Sequence, residues 1–287
     1  ALLSALLFST MNVFVKLLGT SIPAGEIAFA RGLFGTVAVL IIMYMKGIHF
    51  SKEDRGLLVM RGLYGGFGMV CNFIALVHLK LSDATILFQM TGIFVFIFSA
   101  LFLKESLPKG AGKWLALIFA AVMIMVNPFT YESFSWYALV AILGAALAAA
   151  AYTTIRTISK RGKHSNFEIM AYFMITSMFA GLVATDEFVM PQGSDWFIIV
   201  IIGGISVVAQ FFLTGAFVTT NAVVAQFLQY VGVFISSFYG FLFFGESLAL
   251  VTVIAGIVMF ISSVMLSRLK EQQGLFKGGK IIEEKTK

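Results

Sequence analysis

Charge is scarce in this sequence. Asp, Glu, Lys and Arg make up 12% of its 287 residues and apolar side chains 60%, whereas soluble domains run near 25% charged and 45–50% apolar. A water-soluble fold with a mean hydropathy of +0.97 would expose large apolar patches, so the solvent is lipid. Cysteine is almost absent. Cys71 stands alone inside an apolar run, which excludes a disulfide framework. The four prolines, Pro23, Pro108, Pro128 and Pro191, fall in turn-like gaps, so a bend inside a helix has to come from glycine or an inserted polar group. His49, His78 and His164 lie at loops or span ends, and neither a metal centre nor a cofactor is expected. His-Glu-x-x-His and P-loop motifs are missing, and Gly245-Glu246-Ser247-Leu248-Ala249 joins two apolar runs without a matching histidine, so an enzyme is not expected.

Long apolar runs are what the sequence has. They lie near 1–19, 24–45, 57–78, 83–103, 113–128, 135–156, 166–185, 195–218, 222–244 and 249–267, close to the ~20 residues that cross a hydrocarbon core of about 30 Å. The expected fold is an all-α polytopic membrane protein of about ten transmembrane helices. The net charge of +6 does not point to nucleic acid, because the basic residues sit in short gaps between the runs. Alternate gaps hold Lys46, Lys52, Arg55, Lys104, Lys109, Lys113, Arg156, Lys160, Arg161 and Lys163, the opposite set only Lys80. By the positive-inside rule both termini are cytoplasmic, and a plasma (bacterial inner) membrane is expected. No cleavable signal peptide is expected, and residues 269–287 read as a polar cytoplasmic tail.

The chain repeats itself at an offset of about 141 residues. Ser82-Asp-Ala-Thr-Ile-Leu87 with Phe102-Leu-Lys-Glu105-Ser-Leu107 corresponds to Val223-Val-Ala-Gln-Phe-Leu228 with Phe243-Phe-Gly-Glu246-Ser-Leu248. Gly62 falls opposite Gly203, Lys16 near Arg156 and Glu26 near Glu168. The halves are residues 1–128 and 129–268, five spans each, so the second enters the membrane inverted. Inverted repeats recur in transporters, with the solute site near the midplane between the halves.

Taken with Asn12-Val-Phe-Val-Lys16 and Glu26-Ile-Ala-Phe-Ala-Arg31, these paired endings resemble the drug/metabolite transporter superfamily, specifically its EamA-type ten-helix members, over nearly all of residues 1–268. The resemblance implies transport of metabolites by alternating access, as export or exchange, with the fifth and tenth spans peripheral. Members often carry a proline about thirteen residues before the two glutamates. Here Gly92 and Val233 stand there, so a bend is expected at Gly92 and none at Val233.

Ionisable groups at membrane depth usually face protein or a watery cavity. Arg31 lies about 10 Å into its span, and Lys16 and Glu26 within roughly 3–6 Å of the outer ends of theirs, at 1.5 Å rise per residue. Together they suit a carboxylate or phosphate, which the Arg31 fork can grip with two parallel bonds; a structural ion pair is the alternative. Arg61, about 6 Å into the third span, is expected to snorkel to the interface. Glu105 and Glu246 suit helix capping or a gate contact. Asn12, Asn72, Thr85, Gln89, Tyr152, Gln210, Gln226 and Tyr230 interrupt the spans. Thr85 with Gln89, and Gln226 with Tyr230, are four apart and so share a helix face, making two symmetry-related stripes for a central cavity. Interhelical bonding is the plainer alternative. Gly62, Gly65, Gly66, Gly68, Gly203 and Gly204 are expected at close helix contacts. The expectation is a secondary transporter for a small anionic or zwitterionic, amino-acid-like metabolite, a monomer or homodimer in the bilayer. A membrane enzyme or lipid-handling protein, and a channel or scramblase, stay open.

Overall fold

The structure is a computed structural model that describes residues 1–102, 109–126, 135–219, 222–246 and 250–272. Glu105, for which a capping role is expected, and most of the polar tail lie outside these residues. Everything described is helix, turn or coil, with no strand among the described residues. In chain order the helices are α1 (Leu2–Leu18), α2 (Ala24–Met45), α3 (Arg55–His78), α4 (Leu81–Phe88), α5 (Thr91–Phe102), α6 (Ala111–Val126), α7 (Trp136–Arg161), α8 (Asn166–Val183), α9 (Asp195–Thr219), α10 (Ala222–Gln229), α11 (Val231–Phe244) and α12 (Leu250–Gln272). Among the described residues, six spans are long and apolar enough to cross a membrane: α2, α3, α4 with α5, α7, α8 and α9.

Large side chains such as Leu33, Ile41, Leu143, Phe179, Phe212, Phe238 and Phe241 are exposed on the outside of the bundle. The inside is rich in small residues, among them Ala141, Ala145, Ala148, Ala149 and Ala151 on α7. This inversion suits lipid, where close van der Waals packing drives helices together because the hydrophobic effect does not. One close approach is between α2 and α8. A Cβ on Gly25 would lie 2.5 Å from the Ala184 carbonyl oxygen, and one on Gly32 2.5 Å from the Met178 amide nitrogen. On α3, Gly62 and Gly66 face Thr176 and Ser177 of α8, and Gly68 faces Gly144 and Ala148 of α7. Gly204 departs from expectation: nothing lies within 4 Å of where its Cβ would be, so it marks no helix contact.

The fourth and ninth apolar runs are both broken. In the first, the Gly92 amide bonds the Gln89 carbonyl at 3.0 Å, and in the second the Val233 amide bonds the Tyr230 carbonyl at 3.0 Å. Each is a three-residue step in place of the four-residue helical one. The expectation of a bend at Gly92 alone is therefore wrong. Polar groups inserted across the break explain it without proline: Tyr230 Oη donates to the Gln89 carbonyl (2.9 Å), and Gln89 Nε2 donates to the Gln229 carbonyl (2.7 Å).

Polar ties close both ends of the bundle. At the basic end, Arg161 pairs with Asp54, Lys163 with Glu53 (2.5 Å), and Glu168 accepts from the Ser51 amide (2.7 Å) while His164 bonds its other oxygen (3.0 Å). The Glu53 carboxylate holds the Lys163 ammonium above its ordinary pKa. At the opposite end, Glu26 accepts from the Val189 amide (2.9 Å) and Ser21 Oγ donates to Asp195 (3.3 Å).

Candidate functional site

Helices α1, α2, α3, α4, α7, α8, α9, α10 and α11 surround one cavity holding about 910 Å³ of empty space, counted out to its mouth. Of the residues singled out from the sequence, Asn12, Arg31, Asn72, Thr85, Gln89, Tyr152, Gln210 and Gln226 line it; Lys16, Glu26 and Tyr230 do not.

The expected outer cluster of Lys16, Glu26 and Arg31 is not assembled. Lys16 Nζ donates to the Leu79 carbonyl and pairs with Glu246 at 3.1 Å. Both oxygens of Glu246 accept from the Leu81 amide at 2.9 Å, so this carboxylate caps the start of α4 and ties it to α1 and the end of α11. Glu26 is spent on the Val189 amide. These residues bind the protein to itself because their partners, on distant segments, arrive at the same end of the bundle.

Arg31 does reach the cavity, but its companion is Arg61. The snorkelling expected of Arg61 does not occur: its residue is 1% exposed, against 2% for Arg31. Gly65, one turn further along α3, is the reason. A Cβ there would collide with Arg61 Nη1, so the glycine opens a slot into which the long side chain turns inward. Gly65 following Arg61 by four residues was the signal in the sequence. Phe173 of α8 takes both guanidinium groups, at 4.5 Å from Arg61 and 5.5 Å from Arg31 to the ring centre, and Phe73 lies 5.9 Å from Arg31. Arg31 also donates to Met69 Sδ. Cation–π contacts recover some of the cost of burial, but Arg31 Nε, Arg61 Nε and Arg61 Nη1 are buried without a hydrogen-bond partner. No Asp or Glu lies among the described lining residues. Two buried cations, unfilled donors and no countercharge leave a positive site, which a carboxylate or phosphate would complete.

A chain of amides forms another wall. Gln226 Nε2 donates to Gln89 Oε1 (3.0 Å), and Gln229 Nε2 donates to Ser4 Oγ (2.7 Å). Gln210 Nε2 bonds Thr214 (3.2 Å), Thr85 donates to the Leu81 carbonyl of its own helix (2.7 Å), and Tyr152 stacks on Phe217 with ring centres 4.4 Å apart. Tyr230 holds the two broken spans together from behind the wall.

The model of the EamA-like transporter family matches residues 1–127 and again residues 135–268. The chain belongs to the EamA-like transporter family. Among similar proteins, the pseudopaline exporter of Pseudomonas aeruginosa is 35% identical over 94% of this chain and 95% of its own length. The S-adenosylmethionine uptake transporter of Rickettsia felis is 26% identical over 85% and 83%, and the riboflavin transporter of Brucella anthropi 25% over 76% and 80%. A crystal structure at 14% identity shares the fold with a TM-score of 0.67, covering 94% of this chain and 98% of the other. The two family matches meet in the interval where α6 gives way to α7.

Proposed function

We propose that this EamA-like protein is a secondary transporter that carries a small anionic or zwitterionic metabolite through the central cavity by alternating access. Transport of small organic metabolites is what its relatives are named for, in both directions: pseudopaline out, S-adenosylmethionine in. Neither the family nor these relatives are named as enzymes. The observation that carries the anionic reading is the pair of buried, uncompensated guanidinium groups of Arg31 and Arg61 facing the cavity.

Ten spans in two inverted halves, with both termini cytoplasmic, are part of this proposal. The Lys and Arg bias supports the orientation. Two pairs of matching details support the repeat. The breaks sit at Gln89 and Tyr230, separated by 141 residues. Glu26, on the first turn of α2, bonds the loop before α9, and Glu168, on the first turn of α8, bonds the loop before α3. Such crossed ties join each half to the other at opposite ends, where a rocking carrier needs gates.

Counterflow in proteoliposomes tests this function. Vesicles preloaded with the unlabelled solute and diluted into labelled solute, beginning with pseudopaline and S-adenosylmethionine, are expected to show saturable uptake accelerated several-fold by preloading. Uptake that rises linearly with concentration and ignores the preload would indicate a channel instead.

A further inference from the structure

The arginine pair accounts for one pole of a substrate, and the amide wall specifies another. The break in the ninth span leaves the Gln229 carbonyl without a helical donor, because the Val233 amide that would have bonded it turns to Tyr230. A carbonyl can only accept. Gln89 must therefore present Nε2 to Gln229 (2.7 Å), which turns its Oε1 toward Gln226. An oxygen can only accept there too, so Gln226 must present Nε2 (3.0 Å) and its own Oε1 is left over. The usual ambiguity of amide orientation is removed by the fixed carbonyl at the start of the chain. Gln226 is 3% exposed and lines the cavity, and its Oε1 has no donor. Asn12 Oδ1, on α1 in the same cavity, is likewise buried and unfilled.

Two unfilled acceptors on the wall made by α1, α4 and α10 complement the unfilled donors of Arg31 and Arg61 on α2 and α3. We infer that Asn12 Oδ1 and Gln226 Oε1 form a subsite for a protonated amine, so that the substrate is an amphoteric acid with its anionic groups on Arg31 and Arg61 and its ammonium on the two amide oxygens. Charge sets the ratio of the poles. Because the described lining carries no carboxylate, the ammonium gets its countercharge from the substrate's own acidic groups, which also face two arginines. A solute with two carboxylates and one ammonium meets both demands. A plain cation could fill the two oxygens but leaves the arginine donors unpaired and adds a like charge beside them, and a plain dianion leaves the two oxygens unpaired, which costs as much as breaking a hydrogen bond.

This inference rests on the reading of the cavity as an anion-carrying transport site, and three probes with a five-carbon skeleton separate the two. Thermal unfolding of the purified full chain is followed with glutarate, glutamate and 1,5-diaminopentane. Glutamate is expected to stabilise at about tenfold lower concentration than glutarate, the worth of a hydrogen bond to a charged group, and diaminopentane not at all. Gln226→Leu and, separately, Asn12→Leu are each expected to shrink the glutamate advantage to within about twofold. Glutarate equalling glutamate in the unaltered protein overturns the amine subsite and leaves the anion reading standing. So does a glutamate advantage that survives both substitutions. A response to diaminopentane alone, or to none of the three, overturns the anion reading and this inference with it.

Discussion

Arg61→Met should raise the melting temperature of the purified protein while lowering its transport at least about thirtyfold. Removing one charged partner from a buried contact costs 2–5 kcal/mol of binding, and Arg61 supplies two of the three unfilled guanidinium nitrogens in the cavity wall. The stability change has the opposite sign. A guanidinium with 1% exposure and no carboxylate partner among the described residues is desolvated without return, and replacing buried ionic groups by apolar ones of similar volume stabilises by about 1–4 kcal/mol. Methionine keeps the contact with the Phe173 ring. Arg61→Lys keeps the charge and loses the fork, so it should fall between the two in transport. A structural role for Arg61 predicts the reverse pattern, a lower melting temperature with transport falling only in proportion.

Gly32→Val should abolish folded protein. A Cβ at this position lies 2.5 Å from the Met178 amide nitrogen and 2.6 Å from its Cα. Both are backbone atoms of a helix that cannot turn aside, so α2 and α8 would have to separate. Overpacking usually costs about 1–3 kcal/mol when side chains can shift, and more is expected where only backbone can. Gly25 and Gly181 make the same crossing from either side, since a Cβ on Gly25 would lie 2.5 Å from the Ala184 carbonyl oxygen and one on Gly181 would strike the Phe29 amide. Gly204→Ala is the control: the space beside it is open, and alanine favours helix over glycine by about 1 kcal/mol. Size-exclusion profiles of detergent-solubilised variants distinguish these outcomes, with a monodisperse Gly32→Val contradicting the packing described.

What could be read directly were properties set by local runs of sequence. Apolar runs of membrane length, the basic bias of alternate gaps and the family motifs each depend on neighbours along the chain. Depth in lipid alone makes exposure of Arg31 costly and points it inward, and it does line the cavity. The same rule fails for Arg61, whose shallow depth allows snorkelling and whose inward slot only Gly65 marks. Lys16 and Glu26 stand at neighbouring helix ends, which in the sequence suggests a single cluster. Their real partners are 63 or more positions away, Leu79 for Lys16 and Val189 for Glu26, and no periodicity reports such meetings. The break at Tyr230 was hidden for a similar reason: its cause is a hydrogen bond to the Gln89 carbonyl of another span.

The central claim is that one cavity, holding Arg31 and Arg61, is reached in turn from the two faces of the membrane. Ser9 tests it most directly, because it is 3% exposed and lines that cavity. With Cys71 replaced by alanine, Ser9→Cys is reconstituted in sealed vesicles of known orientation and treated with a membrane-impermeant thiol reagent from either side. Lys52→Cys and Ser194→Cys, both at exposed loop positions, serve as markers for the basic and the opposite face. Alternating access predicts that Ser9→Cys reacts from both faces, that saturating transported solute slows both reactions, and that the two markers each react from one face only and from opposite ones. Labelling of Ser9→Cys from a single face under every condition, or of both markers from the same face, would contradict the account.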